Sequence, residues 1–304
     1  FVYRVLRGIN EFRLIVNRNS INAHYLNISA KKNKVNIYEY HPELLGYELY
    51  NRSPYNLGDS LGKVIIQYLL GKKNIDIDKN ISKTKHFNCI GSNVLHSYQD
   101  ATIWGSGIEY KPTNYNVLFT KLSRRKLDIR AVRGPLTKEQ LEKMGYIVPD
   151  IYGDPAILLP LIYNPNVEKK YKYSVIPQFV VEKDFRERFH AENIISMNTN
   201  NYKQVIDNIK ASEIVFTSSL HGIILAESYN VPAVFFRGLS KSVDFKYYDY
   251  YLSTGRPDIK IADTFEEAKK MSPLSIPDLT KLQQGLLDSF PYDLWEYKFW
   301  NKWQ

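Results

Sequence analysis

Ser218-Ser219-Leu220-His221-Gly222 places an imidazole beside two hydroxyls and a glycine. Histidine changes charge near neutral pH, so this pentad suits proton transfer. Its flanks say where it sits. The apolar, β-branched run Ile214-Val215-Phe216-Thr217 reads as a buried strand, and Ile223-Ile224-Leu225-Ala226 reads as the start of a helix. Pro232 closes that helix before a second apolar run, Val234-Phe235-Phe236. His221 is therefore expected at a strand-to-helix turn. In an open parallel sheet such turns lie at the carboxyl edge, where ligands bind. Free N–H groups and the positive end of the dipole at a helix start suit a phosphate or carboxylate. One turn can thus hold a base and an anion.

The totals bound what surrounds this turn. A chain of 304 residues, 44% hydrophobic, suggests two domains of ordinary size or one large one. No apolar run approaches the roughly 20 residues of a membrane-spanning helix. A single cysteine, Cys89, precludes a disulfide within the chain and fits a reducing cytosol. The six histidines are scattered, without metal-ligand spacing, so no metal is expected. The net charge of +9 reads either as a lysine-rich surface or as a sign of anionic substrates, anionic lipid or nucleic acid. No helix-turn-helix, zinc-finger or RNA-recognition pattern appears, so nucleic acid is not an expected partner.

Strands and helices alternate along the chain. Val35 to Tyr40, Ala101 to Trp104 and Ile129 to Val132 read as strands. A helical run follows Asn56-Leu57-Gly58-Asp59 and ends at Gly71; another starts at Pro135 and ends at Gly145. Asn164-Pro165-Asn166 reads as a linker. A second series follows, with Ser174-Val175-Ile176, Ile194-Ile195, a helix from Tyr202 to Ile209 and the strand before His221. This implies an α/β protein with two Rossmann-like domains facing a cleft, residues 1–166 and 167–304. Residues 1–20 read as a basic amphipathic helix. The last ten residues hold Trp295, Trp300 and Trp303. Each end reads either as a helix packed on its own protein or as a contact with an anionic membrane surface.

Single motifs are weak. Gly105-Ser106-Gly107 lacks the third glycine of a dinucleotide fingerprint, and no Gly-x-Ser-x-Gly elbow is present, which argues against NAD and serine-hydrolase chemistry. The order of the motifs is more specific. Asn56-x-Gly58-Asp59, Trp104-Gly105-Ser106-Gly107, Val132-Arg133-Gly134-Pro135-x-Thr137, Gly153-Asp154-Pro155-Ala156, the His221 pentad and Phe245-Lys246-x-x-Asp249-Tyr250-Tyr251 follow one another. As a set, over about residues 35–252, they resemble the polysaccharide pyruvyl transferase family. The resemblance implies a fold similar to GT-B glycosyltransferases. It also implies transfer of pyruvate from phosphoenolpyruvate to a sugar as a cyclic ketal, with release of phosphate. The acceptor would be a cell-surface polysaccharide or its lipid-linked precursor, reached from the cytoplasm or the inner face of the membrane. Phosphoenolpyruvate is then a co-substrate, and no cofactor is expected. One departure is Pro177-Gln178-Phe179, where such proteins commonly show Pro-His-Tyr; an amide does not titrate.

That chemistry needs an acid, a base for two hydroxyls, and cations for phosphate and carboxylate. His221 is the expected base; the plain alternative is a core histidine bonded to backbone. Arg133 offers a planar fork to an anion, or is an exposed surface arginine. Lys246 either binds and protonates the donor or lays its stem over aromatic rings. Arg237 and Lys241 are fallback cations on what reads as one loop. Ser218 and Ser219 donate to phosphate or cap the helix, with Gly222 beside them. Asn56, Gly58, Asp59, the Gly105-Ser106-Gly107 turn and Gln178 are expected on the acceptor side, with Asp59 also a good N-cap. Asp154 reads as a turn residue, and Arg124-Arg125-Lys126 as a solvated run. The rival readings are a glycosyltransferase using a nucleotide sugar and an inactive glycan-binding module.

Overall fold

A computed structural model describes residues 31–38, 56–95, 100–112, 117–118, 120–121, 125–189, 193–238 and 244–296. The basic segment 1–20, Arg124, Lys241, Trp300 and Trp303 lie outside the described residues.

The first half forms a parallel sheet of four strands in sequence order: β1 (Val35–Ile37), β2 (Lys85–Asn88), β3 (Ala101–Trp104) and β4 (Leu127–Ala131). Helix α1 (Leu57–Gly71) crosses between β1 and β2, and α2 (Pro135–Lys143) follows β4. The second half forms a parallel sheet of β5 (Ser174–Ile176), β6 (Val215–Thr217) and β7 (Ala233–Phe235), again in sequence order. Around it lie α3 (Glu182–Arg188), α4 (Tyr202–Lys210), α5 (Leu220–Ser228), α6 (Phe245–Ser253) and α7 (Phe265–Ala268). All nine residues of β5, β6 and β7 are buried, as expected of strands covered on both faces. The α/β class with parallel sheets is thus as the alternation of motifs implies. The reversal of strand order that marks a Rossmann switch point is not seen among the described residues. Ile194 makes a single bridge to Val175 rather than a strand.

One apolar core runs through both sheets. Leu57, Leu61 and Ile65 of α1 and Trp104 of β3 share it with Ile176 of β5 and Ile223 and Ile224 of α5. The 3-10 segment Pro155–Leu161 sits between them, contributing Ala156, Ile157, Leu158 and Leu159. The segment therefore acts as the keel along which the halves join, and the second sheet begins at Ser174.

The last helix, α8 (Thr280–Asp288), changes the expected partition. Sequence position assigns it to the second half, but it packs on the first sheet. The Trp104 indole donates to Leu286 O at 3.0 Å, and the Trp295 indole donates to Ile77 O at 3.0 Å. Trp295 is fully buried, edge-on to Phe87 and stacked on Phe290. Aromatic area explains the return: the first sheet leaves Phe87 and Trp104 uncovered until Phe290 and Trp295 arrive. No helix among the described residues is long and apolar enough to cross a membrane. Trp295→Ala should cost about 3–5 kcal/mol of stability, as large buried aromatics do, measured by denaturant unfolding; a loss below 1 kcal/mol would show that the tail is not part of the core.

Candidate functional site

Two helix starts meet, one from each half of the chain. On one side β6 ends at Thr217 and α5 begins at Leu220, with Ser219 as its N-cap accepting from Gly222 N at 3.4 Å. The helix thus starts three residues earlier than the apolar run Ile223–Ala226 suggests. His221 lies in its first turn rather than in the loop before it. On the other side Asn56 is the N-cap residue of α1, and Gly58 and Asp59 form its first turn. Asp59 is therefore not the cap that sequence alone suggests.

The two starts touch. A Cβ on Gly58 would lie 1.9 Å from His221 Nδ1, so only glycine lets the imidazole pack there. His221 Nε2 points the other way, 3.6 Å from Asp154 Oδ2. His221 is 8% exposed and Asp154 fully buried, and neither of those two facing atoms has a hydrogen-bond partner. Asp154 has a second duty: its Oδ1 accepts from Ala156 N at 3.0 Å and starts the 3-10 segment. The turn reading of Asp154 is correct for one oxygen and incomplete for the other.

Asp59 is the charged group most perturbed by this arrangement. It keeps some accessible surface, yet burial pushes its pKa up from 3.8 to about 6. His221 and Lys246 pull the value down, and Asp154 and Glu109 push it up. Asn56 Nδ2 donates to Asp59 Oδ2 at 2.8 Å and fixes the carboxyl. A carboxyl of this kind carries a proton in the mildly acid range and can donate it.

Lys246 lies in the first turn of α6. It is 9% exposed, with Nζ 3.3 Å from Glu109 Oε1 and 5.5 Å from the Tyr247 ring centroid. Glu109 was not singled out by any sequence signal, because it follows the glycine turn without a motif of its own.

Arg133 is corrected. It is neither exposed nor an open grip for an anion. Its side chain is fully buried, with Nε 3.1 Å from Asp249 Oδ2, Nη1 2.6 Å from Ser92 Oγ and Nη2 donating to Ile108 O. Asp249 also accepts from Thr137 N and Thr137 Oγ1, at 2.9 and 2.6 Å. It so supplies from α6 the cap that Gly134, the N-cap residue of α2, cannot. Arg133 thereby holds the Lys246 helix in place.

The other expected contacts divide as follows. Ser218 is buried and accepts from Gln178 N at 2.9 Å, while its carbonyl receives the Tyr247 hydroxyl at 2.8 Å. Gly222 lets α5 close on Thr217, whose Oγ1 would lie 2.2 Å from an added Cβ. Gly105, Ser106 and Gly107 are packing elements. A Cβ on Gly105, at φ +80°, would strike Pro155, and one on Gly107 would strike the Arg133 guanidinium. Ser106 Oγ is buried, 2.7 Å from Asn93 Oδ1. Arg237 is held between Asp244 and Asp263, which neutralise it. Arg125, read as solvated, is buried and donates to Val94 O. The structure brings together His221, Gly58, Asp59, Asp154 and Lys246, and adds Glu109.

Comparison with known proteins fits the motif reading. Residues 93–238 match the family model described as Polysaccharide pyruvyl transferase, which bears out the resemblance over that segment. An uncharacterized protein of Acanthamoeba polyphaga mimivirus is 27% identical over 207 residues, 64% of this chain and 69% of its own length. Mannosylglucosyl-3-phosphoglycerate synthase of Petrotoga mobilis is 28% identical over 211 residues, but the match spans only 37% of that protein. Among solved structures, a functionally uncharacterized Klebsiella pneumoniae protein aligns over 73% of this chain and 96% of its own, at 16% identity and a TM-score of 0.44. A variant of the wall teichoic acid polymerase TagF aligns over 94% and 91%, at 12% identity and a TM-score of 0.41.

Two outcomes follow from the geometry. Because the Asp59 carboxyl is harder to ionise in the folded chain than in the unfolded one, its contribution to stability is full below pH 4 and is lost as pH rises through about 6. Asp59→Asn should therefore raise stability by on the order of 2 kcal/mol at pH 8 and leave it nearly unchanged at pH 4, read from melting curves at both pH values; an equal effect at both would contradict the burial. Asp249→Ala, which strands a buried guanidinium, should cost about 3–5 kcal/mol, and a chain that melts as the parent does would refute the capping role.

Proposed function

We propose that this chain, whose residues 93–238 match the polysaccharide pyruvyl transferase family, transfers pyruvate from phosphoenolpyruvate to a sugar of a cell-surface polysaccharide or its lipid-linked precursor. The product is a cyclic ketal, and phosphate is released. The observation that carries this reading is His221 set between Gly58 and Asp154, beside a carboxyl at Asp59 whose pKa is pushed up to about 6. A base and a protonated acid side by side are what the reaction requires.

In this reading the phosphate and carboxylate of the donor lie against the first turns of α1 and α5, with Lys246 as the nearby cation. The Asp59 proton goes to the methylene carbon, which becomes a methyl group. Positive charge then develops at the adjoining carbon. One sugar hydroxyl adds there and gives its proton to His221, which Asp154 orients and stabilises once charged. The bond between that carbon and the phosphate oxygen breaks. A second hydroxyl adds to the same carbon and closes the ring. Of the two hydroxyl protons released, one replaces that taken up by the methyl group and the other leaves with phosphate. A two-domain cleft similar to that of GT-B enzymes is part of this proposal, with the acceptor between Asn56 of the first half and Gln178 of the second. Catalysis from the cytoplasmic side of a membrane is part of it too. Sugar transfer is the alternative, kept by the name of the Petrotoga relative.

Incubation with phosphoenolpyruvate and a lipid-linked sugar should release phosphate and add the mass of a pyruvate ketal to the glycan. Turnover that requires a nucleotide sugar instead would select the alternative. His221→Ala should lower the rate by about 10²–10⁴, the usual worth of a positioned base, with melting behaviour close to the parent; undiminished turnover would remove His221 from the mechanism.

A further inference from the structure

Away from the site, the described surface carries a concentration of positive charge with a definite place in the fold. Lys31 and Lys32 precede β1, Lys72 and Lys73 follow α1, and Lys79 and Lys83 lie on the connection into β2; all six are exposed. Hydrogen bonds and an ion pair knit these segments into one edge. Ile81 N donates to Asn33 O at 2.9 Å, Asn33 N donates to Thr84 Oγ1 at 2.9 Å, and Lys31 Nζ lies 3.5 Å from Asp78. Among the described residues Asp76, Asp78 and Glu296 are exposed carboxylates of these segments, fewer than the six lysines. Aromatic rings are interleaved: Lys72 Nζ lies 4.7 Å from the Tyr68 ring centroid and Lys73 Nζ lies 3.7 Å from that of Tyr292.

The chain leaves the described structure at this same edge. Trp295 is anchored through its indole to Ile77 O, and after Glu296 the sequence continues Tyr-Lys-Phe-Trp-Asn-Lys-Trp-Gln. Lysine alternating with tryptophan and tyrosine is the composition favoured at the headgroup layer of a bilayer. The sequence carries no helix-turn-helix, zinc-finger or RNA-recognition pattern, which favours lipid over nucleic acid as the polyanion.

We infer that the lysine edge formed by residues 31–34, 72–73 and 79–83, at which the described residues end with Glu296, docks the protein on an anionic lipid bilayer. The edge lies at the amino ends of β1 and β2. His221 and Asp59 lie toward the carboxyl ends, past Gly91 and the Gly105 turn. The inference concerns a surface and stands whether or not the proposed reaction is correct.

Sedimentation of the full chain with vesicles tests it without any activity assay. The parent should pellet with phosphatidylglycerol-containing vesicles, not with phosphatidylcholine alone, and rising salt should release it. Each lysine near such a surface contributes roughly fivefold in binding. The quadruple variant Lys72→Glu, Lys73→Glu, Lys79→Glu, Lys83→Glu should therefore lose at least about 100-fold in partitioning. A control with the same change in net charge, Lys183→Glu, Lys203→Glu, Lys260→Glu, Lys270→Glu, alters exposed lysines of the second half and should retain most of the binding. Equal loss in both variants would overturn the inference, because net charge alone would then explain it. Undiminished binding of the first variant would also overturn it, as would heparin or DNA binding tighter than that of the vesicles.

Discussion

The approach of Gly58 to His221 is the contact on which the candidate site depends. It is a contact between the first turns of two helices, one after each sheet's opening strands, and it exists because residue 58 has no side chain. An imidazole packed on a bare Cα is fixed in position. Its two nitrogens then look in opposite directions, Nδ1 toward α1 and Nε2 toward Asp154. Both helix starts also bring the positive ends of their dipoles to the same place. That field favours anions and works against the burial that keeps the Asp59 proton on. At Asp59 burial prevails, since its pKa still rises to about 6.

Helix α6 is the second constraint. Lys246 reaches the site only if this helix is held at a set depth, and buried ion pairs hold it from two sides. Asp249 takes Arg133 and the start of α2. Glu227, on α5, receives the Tyr250 hydroxyl at 2.7 Å and both terminal nitrogens of Arg256 at 2.6 and 2.7 Å. The helix that carries His221 and the helix that carries Lys246 are thereby tied together. Buried pairs of this kind contribute little net stability when intact, because desolvation offsets their attraction. Their value here is geometric: they leave few alternative positions for α6.

The sequence was most legible where periodicity and punctuation agree. The strand ending at Thr217, the helix starting at Pro135 and the helix ending at Gly71 are local events, written in β-branched runs, a proline and a glycine. His221, Gly58, Asp59 and Lys246, which the structure brings together, each sit in such a punctuated motif. What sequence could not show was which charges are spent on one another. Arg133 and Asp249 are 116 residues apart, so nothing local announces that the arginine's donors are already used. Arg237 is spent nearer by, on Asp244 and Asp263, 7 and 26 residues further along the chain. Glu109 and the free oxygen of Asp154 were missed for the converse reason: their importance comes only from what folding places beside them. The return of α8 to the first sheet was likewise hidden, because the aromatic surface it covers lies about 200 residues earlier in the chain.

The central claim is that a titrating carboxyl and an imidazole from different sheets share one small volume. Carbon-13 NMR of the chain labelled at aspartate carboxyls follows Asp59 directly, with Asp59→Asn giving the assignment. The midpoint should lie near pH 6 in the parent and higher in His221→Gln, where the side chain that pulls the Asp59 value down is gone. A midpoint near the ordinary value of about 4, unmoved by His221→Gln, would contradict it.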